Sequence, residues 1–527
     1  MSGVSMSLCF TRHIGGEGAR ELNTSPMSSR IASRTVFIQT AGHILACIVA
    51  LYVVPATAQK SLANSPSQAS PAQGPLRVHP TNPRYFTDGS GKAIYLTGSH
   101  TWNNFQDGGW AADGVGQNWT NYLKRFDYSG YLKFLRDYGH NFIRLWTPEN
   151  AADLGTNRNL IDPIAYLRPG PGQALDGQPK FDLTRLNSAY FARLRERVIA
   201  ARDSGIYVSI MLFDVWGLGQ YNNLDSWKGH PFHASNNING INGDPNGDGK
   251  GLECNSLEMP AVTDVQDAYV RRVIDTVNDL DNVLYEINNE GAPESKDWQL
   301  RLIDLIKRYE AGKPKQHPVG LTEFGVASND LLLASRADWI SPATMDPLPG
   351  QDYVNDPPAA TGAKVILSDT DHLSNNIQTP NRATHVWIWK SFLRGLNPIY
   401  MDQLPELGGP VCCGISPFAE DVRQAMGATH RFAQKMNLAA LAPCPKLTST
   451  EYCLANPGTE YLVYQPKGGE SFSVELTSSL YHYEWFNPAS GQGSGAGDVK
   501  AAGGRHSFKA PFPDDAVLYL QRTKPKD

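Results

Sequence analysis

Val283-Leu284-Tyr285-Glu286-Ile287-Asn288-Asn289-Glu290-Gly291 is the stretch on which the fold turns. It opens as a short apolar run of strand length and ends in two amides and a carboxylate. Runs of this kind, bounded by polar residues and buried on both faces, belong to parallel sheets. Seven others share its form, at residues 94–99, 142–146, 207–213, 319–323, 339–342, 365–369 and 398–402. Helical periodicity fills the gaps. Tyr131, Phe134, Leu135 and Tyr138 recur at three-and-four spacing, as do Tyr269, Val270, Val273, Ile274 and Val277. Further helices read through 298–309, 384–393 and 418–436. Eight strands, each followed by a helix or a long connection, describe an α/β fold, the (β/α)8 TIM barrel, whose chemistry sits where strands end and loops begin. A doubly wound open sheet is the rival architecture. It would carry a Gly-rich phosphate turn after its first strand, and Thr97-Gly98-Ser99-His100-Thr101-Trp102 is no such turn.

Outward from the barrel, taken as residues 76–440, the grammar changes on both sides. Past residue 441, short alternating runs at 461–464, 472–476, 481–486 and 516–520 are separated by Gly, Pro and Asn. They predict a small antiparallel β-sandwich over 441–527. Upstream, residues 59–75 (QKSLANSPSQASPAQGP) are nearly free of large apolar side chains and read as a linker. Residues 1–58 read as a signal peptide: Arg30 and Arg34 precede an apolar run at 41–54, and Ala56-Thr57-Ala58 offers a cleavage site before Gln59. Met27 would begin a more ordinary leader. An uncleaved anchor is the alternative, but the run is interrupted by His43 and is shorter than the ~20 residues a bilayer requires. Ile44-Leu45-Ala46-Cys47 faintly resembles a lipoprotein box, although the apolar run continues past the Cys. The expectation is a secreted or periplasmic protein with no membrane contact after cleavage.

Composition narrows the function classes. With 47 basic against 52 acidic residues, the net charge of −5 lacks the positive field that phosphate backbones demand, which argues against nucleic acid as a partner. The abundance of Gly, Pro, Tyr and Trp suits long loops and aromatic surfaces for flat, polar ligands. After cleavage Cys254, Cys412, Cys413, Cys444 and Cys453 remain. None has zinc-ligand spacing, and Cys444 and Cys453 lie close enough around a turn for a local disulfide in an oxidising compartment.

Carboxylates at the strand ends of a barrel face the active-site mouth, so Glu290 is the first candidate for chemistry. A fourth strand ending in Asn-Glu, with another Glu four residues before the last, resembles the clan A glycoside hydrolases, the (β/α)8 retaining glycosidases that include cellulases and mannanases. The resemblance implies that Glu290 is the general acid/base and that Asn289 binds a sugar 2-hydroxyl. The plainer alternative has Glu290 capping a helix or pairing with a base. The second strand, Asn141-Phe142-Ile143-Arg144-Leu145-Trp146, resembles the clan's strand carrying an Arg that orients the nucleophile. A cation there would keep a nearby carboxylate ionised, unless Arg144 sits in a surface salt bridge.

The seventh strand departs from the clan pattern. Its nucleophile is a Glu, whereas Val365-Ile366-Leu367-Ser368-Asp369-Thr370-Asp371-His372 offers only Asp. Strand alternation points Asp369 and Asp371 the same way, with Asp369 in the better register. Glu323 in Gly320-Leu321-Thr322-Glu323-Phe324-Gly325 imitates a nucleophile motif on the fifth strand and takes the role if the strand count is off. Retention is implied by the resemblance alone, because the carboxyl separation that decides it, about 5 to 5.5 Å against about 6.5 to 9.5 Å for inversion, is not legible in sequence.

Trp102, Trp146, Trp216 and Trp389 lie at or near strand ends or facing helices and are expected to build sugar subsites, with His100, Asn103, Asn104 and Asp214 as hydrogen-bonding partners; core packing is the alternative for each Trp. The insertion after the third strand contains His230, His233 and Asp244-Pro245-Asn246-Gly247-Asp248-Gly249. Asp244, Asn246 and Asp248 resemble the start of a calcium loop, but Asn255 stands where a bidentate Glu belongs, and a plain Gly/Asn-rich loop is the alternative. No other metal or cofactor is expected. The barrel with its C-terminal β module looks most like a group of cellulase-like, collagenase-named bacterial proteins, in the phrases Lys390-Ser391-Phe392-Leu393-Arg394-Gly395 and Trp485-Phe486-Asn487-Pro488. No His-Glu-x-x-His spacing supports the collagen label. The expectation is therefore a glycosidase acting on a poly- or oligosaccharide through two carboxylates, with an inactive, carbohydrate-binding barrel as the alternative.

Overall fold

The computed structural model describes residues 70–111, 125–154, 158–220, 224–322, 329–343, 352–373, 384–409 and 416–523. The leader, the linker as far as residue 69, Glu323, Cys412 and Cys413 lie outside the described residues. The barrel strands are β1 (Gly98–His100), β2 (Phe142–Leu145), β3 (Tyr207–Asp214), β4 (Val283–Asn289), β5 (Val319–Leu321), β6 (Trp339–Ile340), β7 (Val365–Asp369) and β8 (Asn397–Met401). All are parallel, in the ring order β1-β8-β7-β6-β5-β4-β3-β2. The seam between β1 and β2 is closed by Asn141, whose amide donates to the Thr97 carbonyl at 3.0 Å while its side-chain oxygen accepts from the Thr97 amide at 3.0 Å.

Every residue of β3 and β4 is buried, because each strand is covered on two sides. Val283, Tyr285 and Ile287 pack outward with Trp298, Leu302 and Ile306, while Leu284 joins Phe142, Tyr207, Val365 and Leu367 in the lower barrel. That lower layer is continuous with Leu76 and Phe86 of the N-terminal hairpin Arg77–Val78 and Phe86–Thr87. The surrounding helices are α1 (Tyr128–Tyr138), α2 (Ser188–Asp203), α3 (Pro260–Val277), α4 (Lys296–Glu310), α5 (Asn329–Ala334), α6 (His385–Leu393) and α7 (Ala419–Lys435). Capping follows from sequence: Asp127 accepts from the Gly130 amide to start α1, and Gly139, at φ 74°, ends it in the left-handed conformation that glycine adopts most readily. Among the described residues no helix is long and apolar enough to cross a membrane.

The long connection after β3 folds around Trp227. Hypothetical Cβ atoms on Gly243 and Gly251 would lie 2.6 and 2.5 Å from its ring, so only glycine admits the chain there. Beyond α7 the backbone becomes antiparallel: β9 (Ala442–Pro443), β10 (Cys453–Asn456), β11 (Glu460–Gln465), β12 (Ser471–Leu476), β13 (Ser479–Asn487), β14 (Gln492–Ala501), β15 (Gly504–Lys509) and β16 (Ala516–Arg522). They form a six-stranded sheet, β9-β10-β11-β16-β13-β14, and a ribbon, β12-β15. The expected disulfide is not formed. The Cys444 amide donates to the Cys453 carbonyl at 2.7 Å, but both thiols are free. Cys453 packs into the core of the module, whereas the Cys444 sulfur is directed at the Ala455 carbonyl.

Candidate active site

The upper barrel is polar at its centre, and Arg144 on β2 organises it. Its side chain is 1% exposed. Nε and Nη2 donate to Glu286 on β4 at 2.9 and 2.5 Å, and Nη2 also donates to Asn289 Oδ1 at 2.6 Å. Nη1 donates to one oxygen of Asp369 and one of Asp371, each at 2.9 Å. One guanidinium thus joins the ends of β4 and β7. Its planar array of five donors suits such a junction, where a lysine would offer a point charge.

Two further side chains, His100 and His372, fix the acceptors. His100 Nε2 contacts Asp369 Oδ1 at 3.0 Å, and His100 Nδ1 accepts from Trp146 Nε1 at 3.1 Å. The indole therefore places the ring proton on Nε2, so His100 donates to Asp369. The Asp371 amide donates to the same Oδ1 at 3.0 Å. His372 lies 3.0 Å from Asn289 Oδ1 through Nε2 and 2.7 Å from Ser341 Oγ through Nδ1. Burial pushes His372 down to about 3, with Arg144 adding to the effect, so the ring is neutral and Nε2–H is the donor. Asn289 Nδ2 in turn donates to Asp214 Oδ1 at 3.3 Å, which also accepts from the Trp216 amide at 3.3 Å.

The two aspartates at and just past the end of β7 differ electrostatically. Burial alone would raise both. For Asp369 the His100 N–H and the Arg144 guanidinium together outweigh burial and hold the carboxyl below the usual range. For Asp371 burial wins over Arg144, and the neighbouring Asp369 charge pushes it further up. The pair therefore holds one ionised and one readily protonated carboxyl, as expected of acids sharing a site. Burial also raises Asp214, to about 7. Glu290 follows directly at the end of β4, half-buried, with its backbone at φ 51° and its carbonyl accepting from Gln220 Nε2 at 3.2 Å. A left-handed glutamate is uncommon, and such conformations cluster at functional sites.

Several expected sugar contacts belong instead to the supporting structure. Trp146 is buried, spends its N–H on His100 and lies under Arg144, whose Cζ is 4.9 Å from the ring centroid. His100 is buried with both ring nitrogens engaged, and Asn104 bonds the backbone of Arg144 and Trp146. Trp389 is 0% exposed and packs away from the site against Phe432, Tyr464 and Phe486. Trp102 and Trp216 are the partly exposed members of the set; Trp102 packs edge-on against Trp146 above Met211 and Met401. Asp214 and Asn103 are buried as well. Sequence reading missed Glu286 as the bidentate partner of Arg144, His372 as the support of Asn289, and Glu149, a carboxyl after β2 that burial raises to about 8.

Asp369, Asp371 and His372 bring three metal-ligand atoms within 4.8 Å of one another. The same two carboxylates already bond Arg144 Nη1, which supplies their positive partner. In the loop of the insertion the side chains turn onto their own backbone: Asp244 accepts from the Gly247 and Gly249 amides, Asn246 from Asp248 and Asp248 from Lys250. Those oxygens cap a turn.

No family model matches this chain, and no curated protein does. Solved structures do. One described as a glycoside hydrolase superposes with a TM-score of 0.53 at 13% identity, covering 86% of this chain and 98% of its own. A glycoside hydrolase family 5 protein from Bacteroides vulgatus ATCC 8482 gives 0.54 at 12% identity, covering 85% and 94%. The chain shares with these glycoside hydrolases the (β/α)8 barrel fold.

Proposed function

We propose that this protein is an exported glycoside hydrolase that cleaves O-glycosidic bonds of a poly- or oligosaccharide with retention of configuration. The observation that carries the reading is the Arg144 junction, which gathers Glu286 and Asn289 from β4, the residue before Glu290 in the chain being Asn289, with Asp369 at the end of β7 and Asp371 just past it. Glu290 protonates the glycosidic oxygen while the ionised Asp369 attacks the anomeric carbon. Glu290 then takes a proton from water, which displaces the carboxylate. Carboxyl groups clustered around the site favour the cationic, oxocarbenium-like transition state. Trp102 and Trp216 suit the apolar faces of sugar rings. Export rests on the leader-like residues 1–58.

The test is hydrolysis on a panel of plant and bacterial polysaccharides and activated aryl glycosides. Glu290→Gln is expected to lower kcat by about 10²- to 10⁴-fold. Asp369→Gly is expected to be inactive but rescued by azide, yielding a glycosyl azide of inverted configuration, and Asp371→Gly not to be rescued. Rescue of Asp371→Gly alone reverses the two roles; undiminished turnover by Glu290→Gln removes it as the acid. A second reading, binding without turnover, is favoured by the complete burial of Asp369 and by Asp standing where the resembled clan has Glu. Sugar binding by the wild type with no hydrolysis would select it.

A further inference from the structure

Glu149 and His230 form a donor–acceptor pair that the chemistry above does not use. Glu149 follows β2 by four residues, where burial, with the nearby Asp214 charge adding to it, pushes its carboxyl up to about 8. His230 is delivered by the insertion folded around Trp227, on which it stacks at 5.1 Å between ring centroids. The Phe232 amide donates to His230 Nδ1 at 3.1 Å, which makes Nδ1 the acceptor and leaves the ring proton on Nε2. Nε2 is buried without a hydrogen-bond partner and lies 3.8 Å from Glu149 Oε1. That separation is too long for a direct hydrogen bond. The side chain of His230 is 1% exposed and that of Glu149 12%, so the pair is reached from the Glu149 side.

We infer that Glu149 and His230 bind one hydroxyl group of a neutral sugar, which accepts from His230 Nε2–H and donates to Glu149. The inference deepens the glycosidase reading and rests on it. A hydroxyl is the group that both accepts and donates through one oxygen, and it is small enough to sit off-line between atoms this far apart. A buried donor with no partner is costly, and such atoms call for an explanation. The partner is neutral because the pair offers a uronic acid carboxylate no positive charge: burial pushes the His230 ring down to about 3 and the Glu149 carboxyl up to about 8.

The experiment compares wild type, Glu149→Gln and His230→Phe for hydrolysis and calorimetric binding of neutral cello-, xylo- and manno-oligosaccharides and of oligogalacturonides, with thermal melts of each variant. The expected result is that for the neutral sugars used by the wild type both variants raise KM or Kd about tenfold while kcat changes less than threefold. His230→Phe keeps the packing on Trp227, so a folded variant is at hand if Glu149→Gln melts early. If the wild type hydrolyses neutral sugars and both variants keep KM and Kd within twofold, the pair is not a subsite although the glycosidase reading stands. If sugars bind without being hydrolysed and the variants weaken that binding, the pair stands and the hydrolytic reading falls. Preference of the wild type for oligogalacturonides, or no binding of any member, overturns the inference.

Discussion

Arg144 donates to four side chains from β4, β7 and the turn after β7, so its replacement tests more than one contact. Arg144→Met leaves Glu286 and Asp369 buried without their counter-charge. The expected cost is about 3–5 kcal/mol, together with loss of turnover, read by chemical denaturation and by hydrolysis. Asp214 makes a prediction about pH. Burial raises its carboxyl from 3.8 to about 7. The folded protein therefore holds a proton that the unfolded chain releases above pH 4. Stability from this group is complete below pH 4 and lost as pH rises to 7, by up to about 4 kcal/mol. Asp214→Asn lacks that slope, so the stability difference between variant and wild type should shift in favour of the variant over this window; a constant difference would contradict it. Arg144, Asp369 and Asp371 were legible because a charge at the end of an apolar run has few places to go. Glu149 was not, since Thr147-Pro148-Glu149-Asn150 has no periodicity to mark it, and His372 was hidden in a polar run that reads as loop.

The ends of β3 and β4 break the alternation on which sequence reading relies. Leu212 and Phe213 are consecutive, yet both join the core between sheet and helices, where Phe213 packs on Trp298 at 5.0 Å. Asp214 and its register partner Asn289 are thereby brought together toward Arg144. Alternation alone would have assigned Asp214 the opposite face. At the other end of β4, Glu310 at the close of α4 accepts from Asn278, Tyr285 and His317 Nδ1 at 2.9, 3.0 and 2.8 Å and from the His317 amide at 2.7 Å. It ties α3, α4, β4 and the approach to β5 to one carboxylate. Glu310→Gln replaces an acceptor oxygen with a donor and is expected to cost about 1–3 kcal/mol, while KM for any substrate stays unchanged because the network lies away from the strand ends that carry the site. Thermal melts alongside kinetics check both halves of that statement.

The C-terminal module and the barrel share one apolar core. Tyr452, Leu454, Leu462, Tyr464, Val517 and Tyr519 cluster with Trp389 of α6 and with barrel residues, and Phe432 of α7 meets Phe486 at 5.5 Å. Trp389→Ala opens a large void at this junction and should lower stability by about 3–5 kcal/mol without raising KM; a raised KM with an unchanged melt would restore Trp389 to the substrate. All eight barrel runs were legible in the chain because an apolar segment flanked by amphipathic helices has one economical arrangement, burial in a closed parallel sheet. The site was legible only in part. Local pattern gives each side chain a strand and an approximate face, and that was enough to name Arg144, Asn289, Asp369 and Asp371. Which side chains touch depends on ring closure and register between distant segments. These gave Arg144 its bond to Glu286, spent Trp146 and His100 on each other, and brought His230 from an unpatterned insertion to Glu149. Such pairings are long-range contacts with no periodicity along the chain, so they exist only once the barrel has closed.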